Sequence, residues 1–162
     1  MRKMVFISVL FLYIFPGLQT GFAGINIPGL NQKIVDYVET VIGQQVDRGE
    51  CWDLANQALN RNDAKWDGQY KYGKELNVKR EKVLPGDIIQ FKNVKVQYQE
   101  GNTIYTETMA HHTAIVYKVL DDGVLELAHQ NTGFSGRTVG LSKLDLDTVK
   151  SGKMWFYRPV RK

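Results

Sequence analysis

The chain has 162 residues, 43% hydrophobic and 23% charged, with a formal net charge of +4. That is the size and composition of one folded domain, too short for two comfortable cores. The mild basic balance comes without a Lys/Arg cluster, so nucleic acid is not expected as a partner.

The first element is a targeting segment. Arg2 and Lys3 precede an apolar run from Met4 to Phe15, Pro16 and Gly17 break it, and the small residues Gly21 and Ala23 follow. This is the pattern of a cleavable secretory signal peptide. The run is too short to span a bilayer comfortably, so no stable membrane insertion is expected after cleavage; an uncleaved anchor is the competing reading. The expected division is residues 1–23 as signal peptide and 24–162 as one domain, secreted or periplasmic.

Past the signal, NIPGL at 26–30 reads as a short extended stretch with a Pro-Gly turn. Ile34, Val35, Val38, Val41 and Ile42 recur at helical spacing, and Gly43 suits a C-cap. After the loop QQVDRGE, a second helix is expected to start near Cys51, with Trp52, Leu54, Ala55, Ala58 and Leu59 on one stripe and Asp53 in the first turn. The polar, aromatic stretch from Asn60 to Leu76 reads as a long loop. Strands follow. VLPGDIIQFKNVKVQYQ opens on a Pro-Gly turn that Asp87 caps, and TAIVYKVL and VLELAHQ flank DDG, a hairpin signal. TVGLSKLDL and KMWFYRPV are further strand candidates, and 97–109 is either a flap or a hairpin excursion. Helix, helix, then antiparallel sheet argues for an α+β fold.

Cys51 is the single cysteine. Exported domains tend to pair their cysteines, so a lone one is a partner-seeking or a reactive thiol. At a helix N-terminus, unpaired N–H groups and the dipole would favour thiolate and lower the thiol pKa. The bland alternative is a small buried hydrophobe. A cysteine nucleophile needs a base, and the histidines are His111, His112 and His129. Adjacent strand residues face opposite ways, so only one of His111 and His112 can face Cys51. Leu125, Leu127 and His129 share a face by period two, and Asn131 falls on that face by the same rule. Either His129 or Asn131 could orient the first imidazole. One cysteine and three histidines match zinc by type, but their spacing lacks a short ligand pair, so no metal is expected.

GECWDLANQAL, PGDIIQF, HHTAIVYKV and LELAHQN, in that order, resemble the CHAP and NlpC/P60 families of papain-like cysteine peptidases and amidases. The resemblance runs from about Ile34 to Asn131. It implies a papain-like α+β fold in which N-terminal helices, one opened by the catalytic cysteine, pack on an antiparallel sheet. By position, Cys51 matches the nucleophile, and His112 the histidine of a G-H-x-A-I-V segment in which His111 replaces the usual small residue. His129 falls where those families carry Glu or His, and Asn131 where they carry Asn. The loop before Cys51 has too few Asp residues for the calcium site of some relatives, so no cofactor is expected. Gln45 has the spacing of the papain oxyanion glutamine.

The implied activity is a secreted thiol hydrolase of amide bonds. The implied substrate is peptidoglycan, cut at an N-acetylmuramoyl–L-alanine amide or a peptide cross-bridge. The backbone N–H of Cys51 would serve the oxyanion, and Trp52, His111 and Tyr72 would line the substrate groove. Two alternatives are a non-enzymatic cell-wall or glycan-binding module, using aromatics such as Trp66, Tyr70, Tyr98 and Tyr105, and an antibacterial toxin with the same chemistry.

Overall fold

The computed structural model describes residues 26–162. The signal-peptide expectation lies outside the described residues. Helix α1 spans Gly29–Val41, beginning directly after Pro28, so NIPGL starts a helix where a turn was expected. Proline suits this position, because its carbonyl accepts the first helical bond from Gln32 N–H, at 3.0 Å, and it is not asked to donate. Helix α2 spans Asp53–Arg61. Their apolar stripes, Leu30, Ile34, Val35 and Val38 on α1 and Leu54, Ala55, Ala58 and Leu59 on α2, are buried together.

The stretch expected as a loop contains two short strands, β1 (Ala64–Lys65) and β2 (Lys74–Glu75). They are too short to show a period in sequence. The longer strands are β3 (Ile88–Glu100), β4 (Thr103–Asp121), β5 (Val124–His129), β6 (Gly140–Asp145) and β7 (Val149–Arg158), with β8 (Val160–Arg161) pairing β1. The main sheet has the order β2-β7-β3-β4-β5-β6, and every adjacent pair is antiparallel. The 97–109 segment is a hairpin excursion: β3 and β4 stay in register out to Glu100↔Thr103.

Strand alternation splits the core in two. Ile88, Ile115, Tyr117, Ala128 and Tyr157 pack under the helices. Ile89, Phe91, Ala114, Val116, Leu125, Leu127, Leu144 and Phe156 form a second cluster on the opposite face. A buried polar clamp joins helix to sheet at the Pro85-Gly86 turn. The Asp87 carboxylate accepts from Leu84 N–H (2.8 Å), Asn31 Nδ2 (2.8 Å) and Arg158 (3.0 and 2.8 Å). Gly86 is required here: its φ is +83°, and a Cβ would come 2.4 Å from the Asn31 carbonyl oxygen.

Candidate active site

The loop before α2 is tied down from both ends. The buried Asp53 carboxylate accepts from Glu50 N–H (3.0 Å) and from Arg48 (2.7 Å). From the sheet side, the buried Gln130 amide donates to the carbonyls of Val46 and Glu50, both at 2.9 Å, and accepts from Val46 N–H at 3.2 Å. These bonds hold Cys51, which is half-buried in the turn leading into α2, two residues before the first helical position.

Strand geometry then locates the sulfur. Val116 bonds to the Gly86–Asp87 backbone on the β3 side. Alternation turns the Thr113 N–H to the other side, toward β5. The last residue pair between β4 and β5 is Ile115↔Ala128, so this N–H lies past the paired part of β5. It lies near enough to the Cys51 sulfur to favour the thiolate, as do the N–H groups of Trp52 and Cys51 itself. The thiol therefore sits in a notch at the margin of the sheet.

These three donors do not lower the thiol pKa overall. Burial dominates and pushes the Cys51 thiol above its ordinary value, with the Glu50 carboxylate adding to the rise. The expectation of an acidified helix-start thiol is corrected: desolvation disfavours the anion more than the dipole end favours it.

His112 and His129 meet. His112 Nε2 lies 2.8 Å from His129 Nδ1, and His129 Nε2 lies 2.8 Å from Ser142 Oγ. Both rings are buried, at 8% and 7% exposure. They stand on the face of Ala114, Val116 and Leu127, beside Phe91 (6.1 Å from His112) and Phe134 (5.4 Å from His129). Burial lowers His112 to about 4, with a further fall from His111, and His129 to about 3, with a further fall from His112. Both imidazoles are neutral at pH 7.

Asn131 does not join them. β5 ends at His129, and Asn131 has φ +60°, so the alternation that would align it with His129 has already lapsed. Its amide donates to Glu50 Oε2 at 2.9 Å. Gln45 is exposed and donates to the Asp47 carbonyl of its own loop at 3.1 Å, turned away from an oxyanion role. Tyr72 is fully buried, so its place in the groove is also corrected. Its hydroxyl lies 3.0 Å from Thr113 Oγ1 and 3.3 Å from Gln90 Oε1, where a buried phenol finds the partners it needs. Trp52 is half-buried and His111 exposed. With Tyr70 they make an aromatic edge: Trp52–Tyr70 centroids are 6.4 Å apart and Tyr70–His111 4.4 Å.

Ser142, Thr113, Gln90 and Gln130 were missed as site residues. Ser142 had a signal: a polar residue two places before Leu144 on an otherwise apolar face. Among the described residues no group of three or more His, Cys, Asp or Glu side chains converges as a metal site.

A family model described as AIM3/BBC1 cysteine proteinase-fold domain matches residues 29–162. Two solved structures are similar. The crystal structure of Ly7917 is 14% identical, covering 78% of this chain and 62% of that one, with a TM-score of 0.49. The crystal structure of Ly7917 with the hydrolyzing product of MDP is 17% identical, covering 80% and 63%, with a TM-score of 0.48. The chain thus spans less than two thirds of the length of either. Comparison with curated proteins gives no match.

Proposed function

The chain belongs to the AIM3/BBC1 cysteine proteinase-fold domain family, and on that premise we propose that it is an exported cysteine hydrolase of amide bonds. Its proposed substrate is peptidoglycan, cut at an N-acetylmuramoyl–L-alanine amide or a peptide cross-bridge. One observation carries the reading. The buried contact between His112 Nε2 and His129 Nδ1, at 2.8 Å, joins the two positions that the resemblance reads as the base and its orienting group.

The thiol is raised and both imidazoles are neutral, and among the described residues no hydrogen bond joins Cys51 to His112, so the reading is a neutral dyad that closes only with substrate, without a preformed thiolate–imidazolium pair. His112 acts as a general base and takes the thiol proton as sulfur attacks the carbonyl carbon. The backbone N–H at Cys51 stabilises the oxyanion. Collapse of the tetrahedral intermediate breaks the C–N bond, and the leaving amine takes its proton from His112. Water, deprotonated by the same ring, then releases the acyl group from sulfur. His129 orients His112 throughout.

The test is incubation of the protein, and of a Cys51→Ala form, with purified cell-wall sacculi, reading new amino termini. Release by the wild type and none by the variant is expected. No release by either, or equal release by both, rejects the hydrolase. Alkylation of Cys51 against pH checks the neutral dyad: its midpoint is expected above about 8.5, the value for a free thiol. A midpoint well below that restores the ion pair.

The aromatic edge of Trp52, Tyr70 and His111 favours a second reading, a glycan- or peptide-binding module of the same fold. In that case both forms sediment with sacculi and neither releases product.

A further inference from the structure

We propose that Ser142 is a positioning residue whose hydroxyl accepts from His129 Nε2 and thereby sets the tautomers of both buried imidazoles, leaving His112 Nδ1 as the free base. This rests on the reading of His112 as general base and adds a group to its machinery.

The geometry begins with register. His129 stands opposite Gly140 on β6, and Leu127 opposite Ser142, which puts the serine hydroxyl diagonally across from the His129 ring. Gly140 leaves the position opposite His129 without a side chain. A Cβ there would come 2.6 Å from the Phe134 ring and 2.6 Å from Ser135 Cβ, so Phe134 closes over that gap and flanks His129. With Phe91 beside His112, each imidazole has an aromatic neighbour. Among the described residues the hydrogen bonds of the two rings run only from one to the other and on to Ser142, without a carboxylate.

A chain of two neutral imidazoles and one hydroxyl can run in two directions. In one, Ser142 O–H donates to His129 Nε2, His129 Nδ1–H donates to His112 Nε2, and the remaining proton sits on His112 Nδ1. In the other, His112 Nε2–H donates to His129 Nδ1, and His129 Nε2–H donates to Ser142 Oγ. The role of His112 as general base selects the second, because only that direction leaves a lone pair on His112 Nδ1. Ser142 is half-buried, which lets it serve this direction. Its oxygen can accept from His129 while its own hydrogen goes to water. Ser142 acts through His129 on His112 and has no part in bond making.

Nitrogen NMR of the full chain labelled with ¹⁵N-histidine tests this without turnover, and with three histidines the spectrum is assignable by single substitutions. At pH 7 the wild type is expected to show a protonated Nε2 and a bare Nδ1 at both His112 and His129. Ser142→Ala is expected to move His129 to a mixture of tautomers, and Ser142→Thr to restore the wild-type pattern. In the sacculus assay, Ser142→Ala is expected to lower kcat roughly five- to tenfold with KM unchanged, the effect of one lost hydrogen bond. A protonated Nδ1 on His112 or His129 in the wild type, or an unchanged spectrum in Ser142→Ala, overturns the proposal. If Ser142→Ala does not fold, the wild-type tautomers decide alone. The expected tautomers in a wild type that releases no product would reject the hydrolase and leave the role of Ser142 standing.

Discussion

The two faces of the central sheet carry buried polar groups of the same kind, yet they are built differently. Under the helices, Tyr72, Thr113 and Gln90 close on one another: the Thr113 hydroxyl donates to Gln90 Oε1 at 2.8 Å, and the Gln90 amide donates to the carbonyls of Phe91 and His112 at 3.0 and 2.9 Å. Every donor has an acceptor inside the protein. On the opposite face, His112, His129 and Ser142 form an open chain that ends in a half-buried hydroxyl, and among the described residues no protein group bonds His112 Nδ1 at the other end. A closed network rigidifies, whereas an open one can accept a proton at one end. Neighbouring residues of one strand, His112 and Thr113, belong to the two networks and part by alternation alone.

The sharpest way to break this comparison is to remove one group from each face. His112→Ala is expected to lower kcat by roughly 10²- to 10⁴-fold, the usual contribution of a general base. Steady-state release of amino termini measures it, and an unchanged kcat would place the base elsewhere.

Acid should separate the faces next. Both histidines titrate in the folded protein at about 4 and about 3, below the unfolded value near 6.5. Below pH 6.5 the unfolded chain binds the protons first. Their contribution to stability is therefore complete above pH 6.5 and is lost as pH falls toward 4. The slope approaches about 1.4 kcal/mol per pH unit for each ring. Urea unfolding between pH 7 and 4.5 reads it directly. A His112→Gln/His129→Gln double variant is expected to flatten the curve, and an equally steep curve would assign the acid sensitivity to other groups.

The smallest effect belongs to the closed face. Tyr72→Phe removes one hydroxyl from a satisfied network and is expected to cost about 1–2 kcal/mol of stability, with kcat unchanged. Denaturant midpoints and turnover measured on the same preparation check both halves. A fall in kcat matching that of His112→Ala would erase the distinction between the faces.

The path from sequence to site was uneven, for local physical reasons. His112 and His129 could be paired in sequence because both lie in strands where period two holds, and DDG fixes the hairpin between them. Asn131 could not be read by the same rule, since its positive φ comes after the strand has ended. Tyr72 looked like a groove residue because aromatic character says nothing about depth; Gln90 and Thr113, distant in sequence, supply the buried partners that hold its hydroxyl. Gln45 had the right spacing but spends its amide on a carbonyl two residues away.

The amino-acid sequence alone determined the helix–helix–strand order, the helix stripes, the DDG hairpin and the shared face of Leu125, Leu127 and His129. These follow from short-range periodicity and turn chemistry. Tertiary structure decided the protonation of the thiol and imidazoles, the closing of one network and the opening of the other, and the recruitment of Ser142. Desolvation and hydrogen-bond completion depend on what lies across the sheet, and Ser142 stands 13 residues from His129 along the chain but 2.8 Å away in space.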